Sequence, residues 1–146
     1  MTKPLFVLNG PNLNLLGQRE PDKYGTTTLA DVQALCERAA AEQDLAVDFR
    51  QSNHEGTLVD WIQEARAEAS GIILNPAGYT TTSIAIMDAL LAAELPLVEV
   101  HVTNIHQREE FRHHSYVSKV ANAVIAGAGV HSYELAVQHL ARLVRA

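Results

Sequence analysis

Short apolar segments alternate with amphipathic segments along the chain. The apolar segments are predicted strands: Leu5–Leu8, Ala46–Arg50, Gly71–Leu74, Leu97–Val100 and Ala123–Ala126. The first, third and fourth are almost continuously apolar, which is typical of parallel strands that helices cover on both faces. The second alternates apolar with charged residues, and this pattern predicts a strand at an edge of the sheet.

Capping signals predict where the helices begin. Thr28-x-x-Asp31 and Thr57-x-x-Asp60 both have the spacing of a capping box, so each motif predicts the start of a helix. A third start is predicted at the hydroxyl cluster of residues 80–83, because apolar residues at helical spacing follow it.

The alternation of strands and helices predicts the topology. Strand–helix–strand connections are right-handed and join parallel strands. Five strands in 146 residues favour one α/β domain over residues 1–146, a flavodoxin-like three-layer sandwich with strand order 2-1-3-4-5. Ligands of such sheets bind beyond the carboxyl ends of the strands, so we expect functional residues there.

Composition narrows the class of partner. The net charge of −6, from 11 basic and 17 acidic residues, disfavours nucleic acid as a partner. No apolar run approaches the roughly 20 residues of a membrane span, and the first residues do not resemble a signal peptide. The single cysteine, Cys36, lies on an apolar helical stripe. It predicts a buried thiol and a reducing compartment, the cytoplasm.

Polar segments follow the first and third predicted strands. Residues 9–14 contain none of the glycine-rich phosphate-binding motifs. The long polar segment from Gly17 to Gly25 predicts either a lid with glycine hinges or a solvated loop. The hydroxyls of residues 80–83 either cap the next helix or bind an oxygen-rich ligand.

Titratable residues lie at and beyond the end of the fourth predicted strand. Glu99 and His101 share one face of that strand, where the carboxylate can orient the imidazole and stabilise its protonated form. Such a pair is either a general acid–base or purely structural. Arg108 and Arg112 are spaced for one face of a helix, either as a charged surface or beside an anionic substrate. No metal-binding motif occurs, so no metal site is predicted.

Five motifs at these strand ends resemble the type II 3-dehydroquinate dehydratases. They are N-G-P-N-L-N-L-L-G-x-R-E-P-x-x-Y-G (residues 9–25), Q-S-N-H-E-G (51–56), N-P-A-G-Y-T (75–80), E-V-H-V-T-N (99–104) and R-E-E-F-R-H-H-S (108–115). The resemblance covers essentially the whole chain. It implies the reversible dehydration of 3-dehydroquinate to 3-dehydroshikimate in the shikimate pathway, by anti elimination through an enolate. It also implies a hydro-lyase without metal or cofactor, assembled from trimers into a homododecamer.

The resemblance implies catalytic roles for five residues. Tyr24, as tyrosinate, would remove the proton next to the substrate ketone, and Arg19 would stabilise that tyrosinate. Asn12 would help to stabilise the enolate oxygen through a water molecule. His101, oriented by Glu99, would protonate the departing hydroxyl.

The resemblance implies binding roles for further residues. Asn75 would position the departing hydroxyl. The backbone N–H groups of Val102 and Thr103 would hold the substrate carboxylate, and Arg112 would bind ring hydroxyls. Asp88 would reach into the site of a neighbouring subunit, which would make the assembly part of the site.

One position departs from the family pattern. Thr81 stands where the family has a histidine that contacts the ring hydroxyls, and threonine reaches less far and carries no charge. This departure motivates the first of two alternatives to the dehydratase, whereas the joint presence of Tyr24, Arg19, His101 and Glu99 disfavours the second. One is a divergent relative that acts on a different cyclic hydroxy acid, and the other is a noncatalytic binding protein with the same fold.

Overall fold

The apolar segments form one parallel sheet in the computed structural model, which describes residues 2–145 except the side chains of Lys23 and Tyr24. The strands are β1 (Leu5–Asn9), β2 (Val47–Gln51), β3 (Gly71–Asn75), β4 (Leu97–His101) and β5 (Ala123–Ala126). Their order is β2-β1-β3-β4-β5, with every pairing parallel. The predicted fold class and strand order are confirmed, including the edge position of β2.

Helices cover both faces of the sheet. They are α1 (Pro21–Tyr24), α2 (Leu29–Ala41), α3 (Glu55–Glu68), α4 (Ile84–Ala93) and α5 (His131–Arg145). Leu5 and Ile73 face α2 and α5 in one core, whereas Phe6 and Leu8 face α3 and α4 in the other.

Cys36 is fully buried in the first core, where burial raises the pKa of its thiol to about 12. The prediction of a buried thiol is therefore confirmed. Between residues 2 and 145, no helix is long and apolar enough to cross a membrane.

Two of the predicted helix starts are confirmed by their hydrogen bonds. Thr28 Oγ1 accepts from the backbone N–H of Asp31 (3.2 Å), and Asp31 Oδ2 accepts from the N–H of Thr28 (3.0 Å), which completes a capping box at α2. Ser83 caps α4 by accepting from the N–H of Ile86 (2.9 Å). Each bond satisfies an N–H group that the first helical turn leaves without a partner.

The prediction that Thr57 caps a helix is wrong. The helix α3 begins at Glu55, two residues earlier, and Thr57 lies inside its first turn. The hydroxyl of Ser52 accepts from the N–H of His54 (3.0 Å) and turns the chain upstream of the Thr57-x-x-Asp60 motif. The helical backbone therefore starts before the threonine can cap it.

The segment after β4 also departs from the prediction. Instead of one helix carrying Arg108 and Arg112, it forms the 3-10 turns Ile105–Gln107, Glu110–Arg112 and Val117–Lys119. Residues 108–114 contain one large apolar side chain, Phe111, and 65% of its surface is exposed. Without an apolar face to pack on the sheet, so short a helix is not stable.

Candidate active site

The carboxyl ends of β1, β3 and β4 surround a cavity of about 200 Å³. It brings together eight residues that the resemblance singled out: Asn12, Arg19, Asn75, Thr81, His101, Val102, Thr103 and Arg112. Seven further residues line it: Pro11, Leu13, Ala77, Gly78, Thr80, Ile105 and Arg108. The position of the cavity agrees with the expectation that ligands of doubly wound sheets bind beyond the carboxyl ends of the strands.

Close contact between two loops places Asn12. The N–H of Gly10 donates to the carbonyl of Asn75 (2.8 Å), and a Cβ at Gly10 would lie 2.6 Å from the carbonyl oxygen of Pro76. Glycine is therefore required where the loops after β1 and β3 meet. Asn12 follows in the left-handed conformation (φ 71°), and its N–H donates to Asn53 Oδ1 (3.0 Å). These bonds fix the backbone that carries Asn12 to the cavity.

The predicted lid contains the short helix α1. Gly17 (φ 90°) and Gly25 (φ 78°) bracket it in conformations that side chains disfavour. Arg19 lies on this segment, lines the cavity and forms an ion pair with Glu20 (3.4 Å). The side chain of Tyr24 lies outside the described part of the chain, so its predicted role stays a prediction.

A buried phenol holds Asn75. Asn75 Nδ2 donates to Tyr133 Oη (2.9 Å), whose hydroxyl donates to Asn9 Oδ1 (2.7 Å). Asn75 Oδ1 accepts from the N–H of Ala77 (3.1 Å). Tyr133 is fully buried, and burial raises the pKa of its phenol above the ordinary value. The second N–H of the Asn75 amide is therefore the group that this side chain can offer to a ligand.

Glu99 and His101 form a buried pair at the end of β4. Glu99 is fully buried, and its Oε2 contacts His101 Nε2. His101 is 5% exposed and lines the cavity. Glu99 and Thr80 contact Nε2, and the described residues give Nδ1 no hydrogen bond. With the carboxylate holding Nε2–H, Nδ1 is the nitrogen available for proton transfer to a ligand.

Hydrogen bonds keep Glu99 ionised. Burial alone would raise the pKa of Glu99, but the hydrogen bond and the charge of His101, followed by hydrogen bonds from Ser118 and Ser115, lower it below the ordinary value. A carboxylate that stays ionised at neutral pH stabilises an adjacent imidazolium. The arrangement predicted from strand alternation is thus present, with donors that the sequence did not indicate.

The lining of the cavity is positively charged. Its charged side chains among the described residues are Arg19, Arg108 and Arg112, whereas the whole chain carries −6. Arg112 Nε donates to Glu109 Oε2, and this hydrogen bond is the main reason that the pKa of Glu109 lies below its ordinary value. A local excess of guanidinium groups attracts an anionic ligand. Within residues 2–145, no three His, Cys, Asp or Glu side chains converge as a metal-binding group.

Five positions refine the sequence interpretation. Glu99 lies behind His101 rather than on the cavity wall, and Asp88 is exposed on α4, outside the cavity. The hydroxyl cluster serves several purposes, because Ser83 caps α4 while Thr80 donates to Glu99 Oε2 (3.1 Å). Thr81 donates to the carbonyl of Gly78 (3.2 Å), within its own turn. Thr80 was foreseen only as part of that cluster.

Comparison with known proteins gives a consistent result. Residues 3–141 match the sequence model of the family described as Dehydroquinase class II. The chain is 64% identical over 141 residues to the 3-dehydroquinate dehydratase of Streptomyces avermitilis (96% of this chain, 89% of the other). It is 62% identical over 144 residues to that of Streptomyces coelicolor (98% and 92%).

Solved structures agree with the sequence relatives. The type II dehydroquinase from Propionibacterium acnes superposes with a TM-score of 0.92 at 46% identity, over 97% of this chain and 98% of that one. The type II dehydroquinase from Butyrivibrio crossotus gives a TM-score of 0.92 at 40% identity, over 95% and 97%. The chain therefore belongs to the class II dehydroquinase family.

Proposed function

We propose that this protein catalyses the reversible dehydration of 3-dehydroquinate to 3-dehydroshikimate, as a carbon–oxygen lyase of the shikimate pathway. The observation that carries the proposal is His101, held by the buried carboxylate of Glu99, on the wall of an arginine-lined cavity. The guanidinium groups suit a substrate carboxylate, and the oriented imidazole suits a hydroxyl leaving group. We place the enzyme in the cytoplasm, which the buried free thiol of Cys36 supports.

The proposed reaction has two chemical steps. Tyr24, as tyrosinate stabilised by Arg19, takes the proton from the carbon next to the ketone and leaves an enolate. Asn12 helps to stabilise the enolate oxygen through a water molecule. The enolate then re-forms the ketone and expels the hydroxyl, which His101 protonates to water, so that a conjugated double bond remains. Anti elimination requires the base and the acid on opposite faces of the ring, and both the segment that carries Tyr24 and the end of β4 contribute residues to the cavity lining, Arg19 and His101.

The proposed substrate-binding residues line the cavity. Asn75, fixed through Tyr133, positions the departing hydroxyl with its remaining N–H. The backbone at Val102 and Thr103 binds the carboxylate, and Arg112 binds ring hydroxyls. The supporting observation is that all four residues line the same cavity as His101.

The direct test is a spectroscopic assay of the purified chain with 3-dehydroquinate. The product has a carbon–carbon double bond conjugated with the ketone, and its ultraviolet absorbance reports turnover. We expect metal-independent formation of this product in the presence of a chelator. Binding of 3-dehydroquinate without product formation would instead favour the noncatalytic alternative.

Thr81 motivates the second candidate, a relative that acts on a different cyclic hydroxy acid. The Thr81 hydroxyl already donates to Gly78, so it has no hydrogen left for a ring hydroxyl of the substrate. We expect Thr81→His to lower KM for 3-dehydroquinate about 5- to 30-fold with little change in kcat, the equivalent of roughly 1–2 kcal/mol for one hydrogen bond. Steady-state kinetics measure both constants.

Thr81→Ala is the matched control, because the native hydroxyl serves its own turn. We expect less than about a threefold change in KM for this variant. An analogue of 3-dehydroquinate that lacks one ring hydroxyl separates the candidates. If the native enzyme turns over this analogue as fast as 3-dehydroquinate, its site does not recognise that hydroxyl, and the divergent relative is favoured.

We also propose that the enzyme works as a homododecamer of four trimers, in which Asp88 of one chain completes the site of its neighbour. The support is the outward face of α4. Ile84 and Leu91 on that face are 51% and 55% exposed, and Asp88 lies between them. An apolar helix face with one carboxylate is unfavourable in water and suits a contact with a second copy.

Leu91→Glu is expected to dissociate the assembly, because it would bury an unpaired charge in the contact. Sedimentation velocity should then show smaller species, and kcat/KM should fall because Asp88 no longer reaches a neighbouring site. Asp88→Asn is the control variant, since it removes the charge and keeps the apolar face. It should stay assembled and still lose activity. A native assembly state for Leu91→Glu would contradict the proposal.

A further inference from the structure

Three hydroxyl groups surround the carboxylate that holds His101. Thr80 Oγ1 (3.1 Å) and Ser115 Oγ (3.0 Å) donate to Glu99 Oε2, and Ser118 Oγ donates to Glu99 Oε1. We propose that Thr80, Ser115 and Ser118, here called the hydroxyl cradle, are positioning residues that act through Glu99 to set the tautomer of His101 and to orient its ring for proton transfer. The inference rests on the dehydratase function proposed above.

The cradle supplies the donors that a buried carboxylate needs. Glu99 is fully buried, and an ionised carboxylate in that position is strongly unfavourable unless hydrogen bonds replace its water. A carboxylate can accept about four hydrogen bonds in all. Here Thr80, Ser115 and His101 Nε2 contact Oε2, and Ser118 contacts Oε1. Because Glu99 can only accept, Nε2 has to carry the hydrogen that faces it. Nδ1 is then the nitrogen that exchanges a proton with the substrate.

The ionised carboxylate fixes the direction of the cradle bonds, because it can only accept. Ser115 Oγ accepts from the backbone N–H of Ser118 (3.0 Å) and lies 3.2 Å from Thr80 Oγ1, and both hydroxyls donate to Glu99 Oε2. The N–H of Tyr116 donates to the carbonyl of Thr80 (2.8 Å) and ties the serine turn to the loop after β3. The cradle therefore joins two loops around one carboxylate.

Ser118 separates positioning from substrate binding. It does not line the cavity, and it donates to the oxygen of Glu99 that His101 does not contact. Thr80, in contrast, lines the cavity as well as donating to Glu99. A loss of activity in Ser118→Ala therefore acts through Glu99, because the Ser118 side chain does not contact the substrate cavity. The size of the loss measures how much the hydrogen bond to Glu99 contributes.

We expect Ser118→Ala to lower the rate of dehydration about 10-fold or more, from the strength of a hydrogen bond to a charged group. Exchange of the acidic substrate proton with solvent, which does not need His101, should change less than about threefold, and so should KM. Ser118→Thr retains the hydroxyl and should recover most of the rate. Ser70→Ala is the matched control, because Ser70 donates to the carbonyl of Lys3 (2.8 Å), outside the cavity lining.

A second pair keeps the inference testable if Ser118→Ala does not fold. Thr80→Val keeps the shape of the side chain without its hydroxyl, and Thr80→Ser keeps the hydroxyl. We expect the valine variant to lose dehydration relative to proton exchange and the serine variant to retain both. Equal loss of exchange and dehydration in Thr80→Val or Ser118→Ala would overturn the inference.

The tautomer of His101 provides a readout without substrate. In protein with ¹⁵N-labelled histidine, NMR should show Nε2–H alone for neutral His101 in the native enzyme and a mixture of tautomers in Ser118→Ala. The His101 signal is assigned by its loss in His101→Ala. A native tautomer in both cradle variants would overturn the inference. Since this measurement needs no turnover, its outcome is distinct from a failure of the proposed dehydratase function.

Discussion

Replacing His101 by alanine is expected to lower the dehydration rate about 10²- to 10⁴-fold, the usual contribution of a general acid. The substrate proton should still exchange with solvent, because the base acts before the leaving group departs. Without an acid, hydroxide is a poor leaving group, so the enolate returns to substrate more often than it goes forward. The expected signature is therefore a large rise in the ratio of exchange to elimination.

Both rates can be measured on one sample. Proton NMR in D₂O follows the loss of the acidic proton, and ultraviolet absorbance follows the product. Glu99→Gln should show the same split to a smaller degree, because it keeps the side-chain shape while removing the charge that stabilises the imidazolium. His139→Ala, a histidine on α5 outside the cavity lining, is the control. Equal loss of exchange and elimination in His101→Ala would indicate a binding role instead.

The parts of the site that sequence predicts are those set by short-range periodicity. Glu99 and His101 share a face because strand side chains alternate, and both lie where β4 ends. The three almost continuously apolar strands predicted a sheet covered on both faces, and the two cores confirm it. In each case a local pattern has one consequence in the folded chain, so no knowledge of distant contacts is needed.

The parts that sequence misses are long-range polar contacts. Ser118 reaches Glu99 across 19 residues, and Tyr133 reaches Asn75 across 58 and Asn9 across 124. A serine in a turn and a tyrosine in an amphipathic helix carry no local sign of these partners. Their partners depend on how the loops pack against the sheet, which a single sequence does not specify.

The two wrong local predictions share one cause, which is that each relied on a residue spacing without the support of the neighbouring residues. Thr57 and Asp60 have the spacing of a capping box, but the turn at Ser52 lies upstream of them and the helix begins at Glu55. The spacing of Arg108 and Arg112 fitted a helix, but the segment has no apolar face to bury. Spacing therefore predicts an element only where the neighbouring residues also favour it.

Tyr24→Phe is expected to abolish both exchange and elimination, by about 10²- to 10⁴-fold or more, because it removes the oxygen of the proposed base and keeps the ring. This result differs from that of His101→Ala, in which exchange persists. Tyr24 and Arg19 both belong to the segment from Gly17 to Gly25, and Arg19 lines the cavity, so the proposed base and its cation lie on the same short segment of the chain. Loss of exchange would place the tyrosine at the first chemical step.

Tyr79→Phe is the matched control for Tyr24→Phe. It removes a phenol hydroxyl that donates to the carbonyl of Asn53 (2.9 Å), outside the cavity lining. This variant should keep the native rates of exchange and elimination. Solvent exchange at the native rate in Tyr24→Phe would exclude Tyr24 as the base. Together, Tyr24→Phe and His101→Ala assign the two proton transfers to different residues, since each side chain is needed for a different set of steps. If Tyr24 performed both proton transfers, Tyr24→Phe would lose exchange and elimination together, whereas His101→Ala would retain both.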